Sequence, residues 1–405
     1  MKILMLSLYY PYPLNQGSNI RVFNVLKSLA RRHEVDLITF ASPGADAAPG
    51  LETLRQYCGD VRVAPAAPPV DGRLVRAMAL LSPAPRSIVL NHSTAMASAI
   101  AAQVKRVSYD VVLVEWLWLA SYVMHMRSLP RVLDDHNAEA AMFKRQIAFQ
   151  SGTTWSRARR LLTLAKIERY ERRVVQAFDE VIATTELDRD RLAVLSNARD
   201  KVTAAPNGVD VESMPFDGFD RLPHRLVYNG SMTYAPNLDA CTYFVEQIFP
   251  LIRQRRPDAT FAITGKAPAT IPASFTATRG VELLGYQDDV MPVVGGSAVC
   301  VVPLRLGGGV RLKIPEAMAL GTPVVSTSVG AEGLHVTDGR NILIADNPVD
   351  FASHVVRLLD DAALRQRLAH AARGFVEGYS WEATTVAIET VLARAASRQN
   401  LLRTR

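Results

Sequence analysis

Along this chain, short unbroken apolar runs alternate with longer stretches in which apolar residues recur every three or four positions, the pattern of buried strands separated by amphipathic helices. Ile3 to Leu8 reads as a first strand. A loop from Tyr9 to Gly17 follows, and Ser18 is placed to cap a helix through Arg32 that turns Ile20, Phe23, Leu26 and Leu29 to one side. Val35 to Phe40 is the next strand, and others are expected at Val61 to Val63, Val111 to Glu115, Arg131 to Asp134, Glu180 to Thr184 and Lys201 to Ala204. The turn Ala205-Pro206-Asn207-Gly208-Val209-Asp210 then leads into an irregular stretch ending at Pro223.

A second series begins there. It runs strand Arg225 to Asn229, helix Asn237 to Arg253, strands Ala259 to Thr264 and Val281 to Leu284, helix Asp288 to Gly295 and strand Ala298 to Val302. After a glycine loop come strands Val324 to Ser326 and Ile342 to Ile344, helices Pro348 to Leu359 and Ala362 to Gly378, and a last helix from Trp381 to near Ala396 with Ser380 as its cap. Two such series predict an α/β protein of two facing, Rossmann-like, doubly wound domains with the ligand cleft between them. The expected boundaries are 1–205, a linker at 206–224, 225–379, and a C-terminal helix at 380–405 crossing back to the first domain.

The chemistry concentrates between Val301 and Ser326. Gly307, Gly308 and Gly309 free the backbone to turn and approach a ligand, Arg311 and Lys313 follow as cations, and a short helix starting near them would aim N–H groups at the same place. Pro315 requires that helix to begin near Leu312. Glu316, just beyond a bound diphosphate, would accept hydrogen bonds from vicinal ribose hydroxyls. The bland alternative is a plain glycine-rich turn with solvated cations. A second polar cluster, Asp135-His136-Asn137-Ala138-Glu139, follows a strand end, where such folds place ligands. His136 there suits a hydrogen bond to a sugar hydroxyl or a proton relay, against the reading of a structural histidine.

At 405 residues, 49% hydrophobic and 21% charged, the chain is long enough for two or three globular domains. Cys58, Cys241 and Cys300 form neither a metal-ligand nor a disulfide spacing, which fits a reducing cytoplasm. The N-terminus meets Tyr9-Tyr10-Pro11 instead of a small-residue cleavage site and reads as a strand, not a signal peptide. No apolar run reaches the roughly 20 residues that span a bilayer. The net charge of +7 points to anionic partners. Nucleic acid is excluded for want of any zinc-finger or aromatic RNA-binding pattern. The cations gather in Arg157 to Arg173, interleaved with Leu161, Leu162, Leu164 and Ile167, as in a basic helix on an anionic membrane or one packed on its own domain. Asp71 to Pro85, with Arg73 and Arg76, reads as a packing helix or an acceptor contact.

The Gly17 loop, Asp135-His136-Asn137, Pro206-Asn207-Gly208-Val209-Asp210, Asn229-Gly230-Ser231-Met232, Leu284-Gly285-Tyr286 and above all Pro315-Glu316-Ala317-Met318-Ala319-Leu320-Gly321-Thr322-Pro323-Val324-Val325 together resemble a glycosyltransferase of the GT-B fold, family 4. The loop is similar to a branch with Gly-Gly-Gly-x-Arg-x-Lys. The resemblance implies a retaining, metal-independent transfer from a nucleoside-diphosphate sugar, UDP more than GDP, to a hydroxyl of a surface polysaccharide or lipid-linked glycan intermediate. Its donor site would comprise Gly17, Gly230, Tyr286, Gly307, Gly308, Gly309, Val310, Arg311, Lys313 and Glu316, with His136, Arg311 and Lys313 catalytic and no cofactor. Tyr10, Asn15, Arg21, Trp116 and Asn137 would face the acceptor, and the enzyme would sit in the cytoplasm, peripheral to the inner membrane face. Two departures stand out. Gly308 occupies the position, eight before Glu316, where the family usually has a glutamate, and Ser231 to Asn237 lacks the usual cations. A nucleotide-sugar epimerase of the same fold and an inactive nucleotide-binding relative are the alternatives.

Overall fold

The structure, a computed structural model, describes residues 1–14, 16–41, 48–65, 81–149, 153–309 and 311–403. Asn15, Val310, residues 71–80 of the expected Asp71 to Pro85 helix and the end of the Pro-rich piece at 66–69 lie outside the described residues. The chain divides into two compact units, Met1–Pro206 together with Trp381–Arg405, and Asn207–Ser380.

In the first unit, β1 (Lys2–Ser7), β2 (Glu34–Phe40), β3 (Val61–Ala64), β4 (Val111–Glu115), β5 (Arg131–Asp135), β6 (Glu180–Ala183) and β7 (Val202–Ala204) form one sheet in the order β3-β2-β1-β4-β5-β6-β7. Every pairing is parallel. The strands read as continuous apolar runs because helices cover both faces. Alternate residues therefore enter different cores. Ile3, Met5, Val111 and Leu113 meet the helices Gly17–Leu29 and Trp381–Arg403, whereas Leu4, Leu6, Val112 and Val114 meet Thr94–Arg106 and Thr154–Ala177. Strand order reverses between β1 and β4, so the ligand position dictated by topology lies beyond Ser7 and Glu115.

The second unit holds β8 (Leu222–Asn229), β9 (Thr260–Thr264), β10 (Val281–Gly285), β11 (Ser297–Val302), β12 (Val324–Ser326) and β13 (Leu343–Ile344) in the order β10-β9-β8-β11-β12-β13, again all parallel. Here the reversal falls between β8 and β11, which end at Asn229 and Val302.

Several local expectations are corrected. The first helix begins at Gly17 with Gln16 as its N-cap and no capping side chain, one residue before the expected Ser18 cap. The helix expected over Asn237 to Arg253 is Ala235–Tyr243 and Phe249–Arg255 joined by a π turn at Phe244–Ile248. Pro250 has no N–H to offer the carbonyl of Glu246, and the ladder widens there. Residues 207–221, expected as linker, are folded into the second unit. Val209 is buried in its core, and Arg373 donates to the carbonyls of Val211, Met214 and Ala319, satisfying irregular backbone that has no strand partner. The last helix extends to Arg403 and closes the first unit through Ile388, Val391, Leu392 and Ala395, an i, i+3, i+4, i+7 stripe.

Leu392→Ala should lower stability by about 2–5 kcal/mol in urea unfolding, since it opens a cavity among fully buried side chains. The exposed Val386→Ala on the same helix should change it by no more than about 0.5 kcal/mol.

Candidate active site

The β11 end of the second unit runs into Gly307 and Gly309, at φ 133° and 66°, conformations that only glycine adopts without strain. Arg311 folds back on this loop. It donates to the Gly309 carbonyl, and a Cβ at Gly307 would lie 2.9 Å from its Nη2. Arg311 is thus buried as the brace of its own loop.

Helix Lys313–Ala319 follows with Leu312 as N-cap, and Pro315 falls in its first turn, where a missing N–H costs nothing. Lys313 Nζ donates to Tyr228 Oη at 2.6 Å and to Asn237 Oδ1 at 3.0 Å, and lies 3.9 Å from the centre of the Tyr228 ring. Asn237 also accepts from Tyr228 Oη at 2.7 Å and donates to the Ser231 carbonyl at 2.9 Å. Gly230, at the end of β8, completes the cluster. A Cβ there would come within 2.8 Å of Asn237 Nδ2 and 2.9 Å of Lys313 Nζ, and the next strand end is as close, for a Cβ at Gly265 would meet Gly230 O at 2.4 Å. The absence of side chains at Gly230 and Gly265 lets the ammonium lie against the strand ends at the reversal of strand order, where open α/β sheets place ligands.

Burial pulls Lys313 down to about 8 and pushes Glu316, one turn along and half-buried, up to about 7, with Lys313 opposing the latter shift. Arg305, beside the loop, is fixed by Asp239 at 2.6 Å and by the Tyr243 ring. Tyr286 is 52% exposed at the end of β10, two strands from the switch point.

In the first unit, the corresponding strand ends carry Glu115, Trp116 and His136. His136 Nε2 lies 2.8 Å from Glu115 Oε2, both groups buried. Burial depresses His136 to about 4 and raises Glu115 to about 7, so the pair keeps its imidazole neutral. Trp116, held at φ 96°, packs its ring 4.7 Å from His136 and 5.4 Å from Tyr9 and donates Nε1–H to Glu139 at 3.2 Å. Gly17 is exposed as the first residue of its helix, and Asn137 is half-buried.

Tyr10 and Arg21, expected at the acceptor, are both buried. Arg21, 1% exposed, forks onto both oxygens of Asp134 at 2.8 and 2.9 Å and onto the Ala205 carbonyl at 3.1 Å. Glu115, Asp134 and His136 are the one group of ligating side chains close enough to hold a metal among the described residues. Within that group Asp134 is already ion-paired with the Arg21 guanidinium at 2.8 Å.

Residues 15–213 match the family described as Glycosyltransferase Family 4, and residues 223–361 match Glycosyl transferases group 1. The chain belongs to glycosyltransferase family 4. This glycosyltransferase is 22% identical over 398 residues to an uncharacterised 44.6 kDa protein in the cps region of Klebsiella pneumoniae, covering 93% of this chain and 95% of that one. It is 28% identical over 239 residues to the D-inositol 3-phosphate glycosyltransferase of Paenarthrobacter aurescens, a match spanning 54% of this chain and 58% of that relative's length. Among solved structures it shares its fold with Anabaena HepE in complex with UDP, at TM-score 0.66 and 16% identity over 97% of this chain and all of that one. Sucrose-phosphate synthase of Thermosynechococcus elongatus gives TM-score 0.69 and 17% identity over 98% and 100%. The two parallel sheets are those of the GT-B fold.

The glycosyltransferase also contains a group of buried carboxyls, Asp135, Glu139, Glu171 and Asp188. Among the described residues neither Asp135 oxygen, both of them buried, has a hydrogen-bond partner. Burial, then its acidic neighbours Glu171 and Glu139, push Asp135 well up; burial likewise takes Glu139 to about 7 and Glu171 to about 8. These groups bind protons more tightly folded than unfolded. The stability they confer is therefore complete below the ordinary glutamate range near 4.5 and is lost as pH rises through about 7 to 8. Glu171→Gln should raise the melting temperature at alkaline pH and have a much smaller effect at acidic pH in a calorimetric pH series.

Proposed function

We propose that this glycosyltransferase takes a sugar from a nucleoside diphosphate, UDP in preference to GDP, and passes it with retention of configuration and without a metal to a hydroxyl of a polysaccharide or lipid-linked glycan intermediate. The observation that carries the reading is the Lys313 ammonium, held against Gly230 at the switch point of the second sheet with Glu316 one turn beyond it. The glycine loop and Lys313 are assigned to the diphosphate, Glu316 to the ribose hydroxyls, and Tyr286 to the base. Arg311 shapes the loop and Lys313 supplies the charge.

In this reading the acceptor hydroxyl attacks the anomeric carbon on the face from which the nucleotide departs. The C–O bond to the diphosphate breaks as the new one forms, and the leaving phosphate oxygen takes the hydroxyl proton. Lys313 and the loop N–H groups stabilise the charge on the departing diphosphate, the work a metal does at other sites. The first unit offers Trp116 and Asn137 to the acceptor and the neutral imidazole of His136 as a hydrogen-bonding group for the sugar. Peripheral contact with an anionic membrane through the basic helix Thr154–Ala177 belongs to the same reading; among the described residues no helix is long and apolar enough to cross one.

A thermal-shift panel of nucleoside diphosphates and nucleotide sugars, with chelator present, tests the donor site. A ligand that binds only the folded protein raises the melting temperature by mass action. UDP should give a chelator-resistant rise that Glu316→Ala and Lys313→Ala both remove, whereas no rise with any nucleotide overturns the reading.

The pH dependence follows from the same two groups. UDP binds more tightly with Glu316 ionised and Lys313 charged, so affinity should fall as pH drops below about 7 and again as it climbs above about 8. Titration calorimetry of Glu316→Gln should show the acid limb gone and the alkaline limb retained.

A further inference from the structure

Tyr228, Asn237 and Lys313 close a triangle of hydrogen bonds in the second unit. Lys313 Nζ donates to Tyr228 Oη at 2.6 Å and to Asn237 Oδ1 at 3.0 Å, and Tyr228 Oη–H donates to the same Asn237 oxygen at 2.7 Å. The corners come from three elements, β8, helix Ala235–Tyr243 and helix Lys313–Ala319. Two of them are anchored from outside the triangle. The Tyr228 ring is fully buried in the core, and Asn237 Nδ2 donates to the Ser231 carbonyl at 2.9 Å, which turns the amide oxygen toward the lysine.

An ammonium has three N–H groups. Two are used inside the triangle, and the third has no acceptor among the described residues, on a side chain that is half-buried and not sealed. A Cβ at Gly230 would lie 2.9 Å from Nζ and 2.8 Å from Asn237 Nδ2, so a side chain there would collide with the triangle. Both partners of the ammonium are neutral. Burial pushes the Tyr228 phenol well up, and an amide does not titrate, so the triangle orients the charge without cancelling it. A lysine needed only for stability would be better served by a carboxylate, because a buried charge with neutral partners stays partly uncompensated.

We propose that Tyr228 and Asn237 are positioning residues for sugar transfer: they lock the Lys313 ammonium in one orientation, with its third N–H directed to a phosphate oxygen of the nucleoside diphosphate. The inference rests on the donor-site reading above and assigns the geometry of that site to two uncharged side chains that act through Lys313 and not on the substrate. An ammonium already oriented needs no rearrangement as negative charge gathers on the departing diphosphate.

The test is titration calorimetry of the full-length protein with UDP across a pH series, on wild type, Tyr228→Phe and Asn237→Asp. The other ionisable groups near the ammonium are Cys241, Cys300, Arg311 and Glu316. Burial pushes both thiols well up and keeps them neutral, so the alkaline limb of UDP affinity, near 8, reports Lys313. Tyr228→Phe keeps the buried ring and removes an acceptor that favours the charged lysine, so this limb should move to lower pH. Asn237→Asp keeps an oxygen for both donors but adds a negative charge, so the same limb should move to higher pH. Both should weaken UDP binding about tenfold or more at neutral pH, the first by freeing the ammonium to rotate and the second by neutralising it. A merely structural role would not move the limb in opposite directions. Unchanged affinity in both variants, or weakened affinity with the limb unmoved or moved the same way in both, overturns the inference and leaves the donor site standing. A wild type that binds no nucleoside diphosphate overturns the donor-site reading and the inference together. Aspartate in the first turn of helix Ala235–Tyr243 suits the helix dipole, so Asn237→Asp should keep the wild-type melting temperature. Should Tyr228→Phe not fold, Asn237→Ala removes an acceptor in its place and should move the limb to lower pH as well.

Discussion

Parallel strands buried on both faces have no wet side on which to carry chemistry. In this glycosyltransferase that constraint operates twice, in a sheet of seven strands and a sheet of six. Each sheet's side chains are committed to buried packing on both faces, and polar function is confined to the strand ends. The reversals of strand order, between β1 and β4 and between β8 and β11, part neighbouring connections to opposite faces and open room there. Gly230, Lys313 and the glycine loop lie at one such place, and Glu115, Trp116 and His136 at the other.

What lies at those ends is charge kept in poor solvent. The two units manage it differently. In the second, Lys313 has a phenol, an aromatic face and an amide oxygen, and among the described residues no carboxylate in hydrogen-bonding contact, so its charge is only partly compensated. In the first, Arg21 and Asp134 neutralise one another in a fork, while Glu115 and His136 form a second pair whose imidazole stays neutral. The first arrangement suits recognition of a polyanion. The second suits holding a strained Trp116 and its neighbours in place.

Much of the fold was legible because its signals are local. The apolar runs gave the strands to within three residues, since a strand buried on both faces needs nothing else to declare itself. The glycine loop, Lys313, Pro315 and Glu316 were legible for the same reason, their spacing along a loop and one helical turn being their spacing in space. Residues that act through distant partners were not. Tyr228 sits in the run Leu226-Val227-Tyr228 and passes for core, although a hydroxyl there needs a partner. Glu115 meets His136 only across two strands, Glu171 is hidden in a helix read for its arginines, and Arg21, expected at the acceptor, finds its partner Asp134 on β5, more than a hundred residues along the chain. Pro250 was visible, but its effect, a widened turn instead of a break, depends on the core packed against Phe244 and Phe249.

The helix Trp381–Arg403 completes a core whose other members lie before residue 206. On a ribosome the consequence is an inverted order of folding. The second unit is continuous in sequence and has all its strands in hand while the first, although made earlier, still lacks Ile388, Val391 and Leu392 to cover Ile3 and Met5. For the whole time taken to synthesise residues 207–380, the nascent first unit carries an apolar sheet face awaiting its lid, and the final residues of the chain decide whether the opening ones are folded.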